Sequence, residues 1–140
     1  MRRIGRLAVA LVVLATVAVA TPARADNLNA SCSTWNGDYY MNAWTYYTPT
    51  GPYHHWYMIQ YELGGHPTGG KSNVNFAVVE TTGVRYGNNS PDSLHSYQLY
   101  TVTPPGQVLT SQVNEEWVRF EAIFDKWLED PRCPAQTAHL

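Results

Sequence analysis

The 140 residues carry a formal net charge of −2, and four of the nine basic groups (Arg2, Arg3, Arg6, Arg24) precede Asp26, the first of eleven acidic ones. Residues 26–140 therefore hold five basic against eleven acidic side chains, with no Lys/Arg cluster. This argues against nucleic acid and anionic lipid as partners, because both are held mainly by basic contacts to phosphate.

The chain opens with a secretion signal in form. Arg2, Arg3 and Arg6 give a positive start, and Leu7–Ala20 is an uncharged, largely apolar run of 14 residues. Ala23-Arg24-Ala25 supplies the small-x-small pattern accepted at a cleavage site. A membrane-spanning helix needs about 20 apolar residues, and this run ends before Pro22. Residues 1–25 are accordingly read as a signal peptide and 26–140 as one secreted, extracellular domain that leaves the membrane after cleavage. The Arg-rich, Ala/Val-rich leader suggests a bacterial source. Cys32 and Cys133 are the two cysteines. In an oxidising compartment they are expected to form a disulfide joining the two ends of the domain.

Period-2 alternation then recurs along the chain. A first strand is expected from Asp38 to Tyr47. Thr48-Pro49-Thr50-Gly51-Pro52 interrupts it with turn residues. Tyr57-Ile59-Tyr61-Leu63 alternates next, followed by the breaker Gly64–Gly70 with His66 inside it. Val74-Phe76-Val78 and a short Val84–Tyr86 segment follow, then the break Gly87–Asp92. Tyr97-Leu99-Thr101 and Leu109-Ser111-Val113 are weaker, and Val118-Phe120-Ala122-Phe124 is the clearest run. Asp125–Asp130 is long enough for one helical turn before Pro131. About seven short strands separated by Gly/Pro turns predict an all-β fold: a small antiparallel β-sandwich, Ig-like or jelly-roll-like. The expected core is Tyr57, Ile59, Tyr61, Val74, Phe76, Val78, Leu99, Val118, Phe120, Ala122 and Phe124.

Chemistry is sparse. There is no nucleophile elbow, zinc-protease helix, phosphate loop or calcium loop. His54 and His55 are adjacent, so on a strand they would point to opposite faces. They are read as loop residues, and neither a metal site nor a cofactor is expected. A glycoside hydrolase needs two carboxylates across a cleft. Glu62, Glu80, Glu115, Glu116, Glu121 and Asp125 are the candidates, with Glu62 or Glu121 plus another acid as the alternative, enzymatic reading.

The aromatic content carries the leading reading. Ten of the eighteen aromatic side chains lie between Trp35 and Tyr61. Tyr and Trp combine a flat apolar face with a polar handle, which suits recognition surfaces. Trp44, Tyr46, Tyr53, His54, His55 and Trp56 are therefore predicted to form a platform that binds an extracellular carbohydrate or protein without catalysis. A third reading is inhibition of a secreted protease through the Gly64–Gly70 or Gly87–Asp92 loop. Thr34-Trp35-Asn36-Gly37 resembles a segment of the secreted biotin-binding barrels, as does the overall size. The tryptophans of those barrels recur in later strands, whereas here Trp117 and Trp127 crowd together near the end. No family is assigned on that likeness.

Overall fold

The computed structural model describes residues 25–65, 71–126 and 129–140. The leader segment before Ala25, residues 66–70 of the Gly64–Gly70 loop with His66 among them, and Trp127 with Leu128 in the expected helical turn lie outside the described residues.

The domain is all-β, with no helix among the described residues. Nine strands follow in order: β1 (Asp26–Ser33), β2 (Tyr40–Thr50), β3 (Tyr53–Gly64), β4 (Asn73–Glu80), β5 (Gly83–Asn89), β6 (Leu99–Val102), β7 (Val108–Ser111), β8 (Glu116–Ile123) and β9 (Arg132–Gln136). Sheet A runs β1-β2-β3, and the far edge of β3 is shared end to end by β6 and β7. Sheet B runs β5-β4-β8-β9. All ladders between named strands are antiparallel. The two sheets pack face to face around Met41, Trp56, Ile59, Leu63, Val78 and Phe124.

The expected seven strands are thus nine. The two additions, β1 and β9, flank the predicted set. Both read weakly in sequence because Asp and Asn are depleted in strands and Pro is confined to edges. β1 is DNLNASCS, and β9 is an edge strand containing Pro134. They are the strands that the disulfide joins: Cys32 and Cys133 are bonded, with Cα atoms 5.7 Å apart. The two sheet edges are closed covalently at that side of the sandwich.

β2 turns into β3 through Gly51, at φ +60°, and Pro52, a two-residue reversal. Opposite this hairpin the ladder slips. Tyr46 pairs with Met58 but Tyr47 pairs with Trp56, so Tyr57 is an extra residue in β3. The bulge resets the inward parity. Trp56 points inward below it, and Ile59, Tyr61 and Leu63 point inward above it. Tyr57, expected in the core, is consequently only half-buried, and Trp56 fills the space instead at 0% exposure. Leu99, also expected in the core, is exposed because it pairs with the outward-facing Glu62. The remaining expected core residues are buried.

Candidate functional site

The six residues expected to form one platform divide between two environments. Trp44 and Tyr46 alternate with the buried Ala43, Thr45 and Tyr47 on β2, so they face out from sheet A. On β3, Tyr53 and His55 alternate with His54 and Trp56 and share that outer face, joined there by Tyr57. His54 and Trp56 point into the sandwich. That overturns the expectation that Trp56 leads an outward set and that both histidines lie on a loop. The reason is the Tyr57 bulge together with strand pairing from Tyr53 onward.

The outer face of sheet A forms ordered rows. Asn27 pairs with Tyr46, which pairs with Met58; Asn29 pairs with Trp44, Trp44 with Gln60, and Gln60 with Thr101. The next row is Ser31, Asn42, Glu62 and Leu99. Tyr46 and Tyr57 ring centroids are 6.4 Å apart, and Tyr57 lies the same distance from His55. Polar side chains lock this surface. The Tyr46 hydroxyl donates to Gln60 Oε1 at 3.1 Å, Gln60 Nε2 donates to Thr101 Oγ1 at 3.1 Å, and Asn42 Nδ2 donates to Glu62 Oε1 at 3.1 Å. Trp44, Tyr46, Tyr57 and His55 are all half-buried. Tyr46 and Tyr57 are held by the contacts just given, so less of their side-chain entropy is left to lose on binding. The stripe from Trp44 to the level of Thr48 measures ~13 Å at the strand rise.

Inside the sandwich lies a polar network that sequence reading does not assemble. Glu80 on β4 and Glu116 on β8 are register partners with both side chains inward, each about 1% exposed. Glu116 Oε1 is hydrogen-bonded to His54 Nδ1, and its Oε2 accepts from Thr110. Thr110 in turn accepts from the Trp56 indole nitrogen at 2.7 Å. Tyr47 covers both His54 and Trp56, at centroid distances of 4.8 and 5.1 Å. Glu80 accepts from Arg85 Nε at 2.6 Å and from Asn114. Arg85 is the extra residue of a second bulge, between the pairs Val78–Tyr86 and Val79–Val84. The two carboxyls are driven apart electrostatically. Burial raises the Glu116 pKa, with His54 opposing and Glu80 adding to the rise. The Arg85 hydrogen bond holds Glu80 below the usual carboxylate range.

Both oxygens of each carboxyl group are therefore engaged by protein partners, and both acids are almost fully buried. Glu62 and Glu121, singled out in sequence as acids, sit on opposite outer faces. Glu62 is bonded to Asn42, and Glu121 is paired with Arg132 at 2.9 Å. The Gly87–Asp92 segment is not a free loop. Its first residues complete β5, Ser90 exchanges hydrogen bonds with Val74, and Asp92 accepts from Asn73 at 2.6 Å. Among the described residues no group of three His, Cys, Asp or Glu could hold a metal ion. No known protein family, curated protein or solved structure matches the chain.

Proposed function

We propose that the chain is an exported, non-enzymatic carbohydrate-binding domain acting through the outer face of sheet A. The observation that carries this reading is the stripe Trp44, Tyr46, Tyr57 and His55, half-buried on the outer face of sheet A and bordered by Asn29, Asn42, Gln60 and Glu62. Sugar rings present apolar C–H faces and a rim of hydroxyls. Aromatic faces meet the first and amide and carboxylate groups meet the second. Protein-binding hot spots, by contrast, cluster in desolvated pockets, and this surface is shallow and amide-edged. The basic, apolar leader and the disulfide support an oxidising, extracellular setting.

The enzymatic alternative finds little support. Glu80 and Glu116 are the acids whose environments separate their pKa values, the usual mark of an acid–base pair. Yet each has both oxygens engaged and almost no exposed surface.

A glycan array of neutral oligosaccharides, run with wild type, Trp44→Ala and Tyr57→Ala, tests the proposal. Wild type is expected to bind, and each variant to lose about tenfold to thirtyfold in affinity while staying folded. Folded variants that bind as tightly as wild type would overturn the site.

A further inference from the structure

The opposite outer face, on sheet B, is built differently. Its central row is Gly87, Ala77, Arg119 and Gln136, in register across β5, β4, β8 and β9. Gly87 and Ala77 put almost nothing above the sheet, so the middle of the row is a floor. The row beside it is Asn89, Asn75, Glu121 and Pro134, and Val84 closes the β5 side. The result is a trough of about 940 Å³, within the range of small-molecule sites.

One detail indicates what it would hold. Arg119 is exposed in the central row and makes no ion pair among the described residues, whereas its neighbour Glu121 is neutralised by Arg132. The trough is thus a positively biased, amide-lined spot on an otherwise acidic domain. A planar guanidinium recognises carboxylate in a bidentate manner. Hydroxyl groups would answer Asn89 and Gln136. One isolated Arg cannot hold a nucleic acid, which needs many phosphate contacts.

We infer that the sheet B trough is a second, independent site for a carboxylate-bearing oligosaccharide of uronic-acid type, its carboxylate on Arg119 and its hydroxyls on the Asn89 and Gln136 amides. The site uses none of the sheet A residues, so it stands or falls separately from the aromatic platform.

The test is calorimetric titration of the full domain with tetragalacturonate and with cellotetraose, using wild type, Arg119→Gln, Arg119→Lys, Ala77→Leu and Trp44→Ala. Tetragalacturonate is expected to bind wild type and Trp44→Ala equally. Affinity should fall at least about tenfold in Arg119→Gln, fall less in Arg119→Lys, and weaken in Ala77→Leu, where the larger side chain fills the floor. Absence of tetragalacturonate binding to wild type would overturn the inference. So would equal affinity in Arg119→Gln, or its loss in Trp44→Ala, which would move the acidic ligand to sheet A. Displacement of tetragalacturonate by cellotetraose at equal strength would overturn the role given to the carboxylate.

Discussion

Trp44 and Trp56 lie twelve positions apart and do opposite work. Trp56 is wholly enclosed, with its indole nitrogen bonded to Thr110, whereas Trp44 is half-buried on the outside. Trp56→Ala is expected to cost about 3–5 kcal/mol of stability through the cavity and the stranded Thr110–Glu116 pair. Trp44→Ala should cost under about 1.5 kcal/mol, and chemical denaturation of the two variants checks the contrast. The two buried acids, Glu80 and Glu116, give a pH signature. Glu80 is held below its ordinary pKa, so its contribution is present above the ordinary carboxylate range and is lost as pH falls through its lowered value. Glu116 is raised, so its effect has the reverse sign: stability falls as pH rises from the ordinary carboxylate range through the raised value. Urea melts across about pH 3 to 8 should show a flatter acid limb for Glu80→Gln. Glu116→Gln should remove the loss on the upper side of the same range. If both variants leave the profile unchanged, the network is not electrostatically active.

At the level of the strand, two bulges decide where chemistry goes. Tyr57 shifts parity within β3, and Arg85 is brought onto Glu80 by the slip in β5. Both are illegible in sequence, because alternation read through Tyr57-Ile59-Tyr61-Leu63 carries no sign of an inserted residue. The sandwich itself is readable, since Val74, Phe76 and Val78 on β4 and Val118, Phe120 and Ala122 on β8 alternate in sequence and are buried together. Trp44 and Tyr46 can be placed on one face from parity alone, whereas Tyr53 and His55 join them only through the β2–β3 hairpin register, where sequence reading expects a loop. The Glu80–Glu116 pair cannot be placed from parity, because their adjacency depends on the β4–β8 register between segments 36 residues apart. Turn chemistry makes a further prediction. Gly65 has φ +81°, and a Cβ there would strike the Asp38 carbonyl in the β1–β2 connection. Gly65→Ala should lose about 1–3 kcal/mol and loosen the Thr34–Tyr39 turn, visible as faster amide exchange at Thr34 and Gly37, whose backbone amides are bonded within it. Unchanged exchange and stability would show that this contact is not maintained.

Over the whole molecule, the disulfide and the two faces act together. The bridge spans a sequence separation of 101, and the loop-entropy account assigns about 4–5 kcal/mol to a closure of that length. The Cys32→Ser/Cys133→Ser double variant should unfold at correspondingly lower denaturant, with β1 and β9 losing amide protection first because they are the sheet edges it joins. The most direct measurement is a titration of the isotopically labelled domain with the neutral oligosaccharide that scores highest on the array, observed at the tryptophan indole signals. The Trp44 signal is expected to shift in proportion to bound sugar while that of the enclosed Trp56 stays fixed. Saturable binding that leaves Trp44 unmoved, or no saturable binding by any array oligosaccharide, would contradict recognition through sheet A.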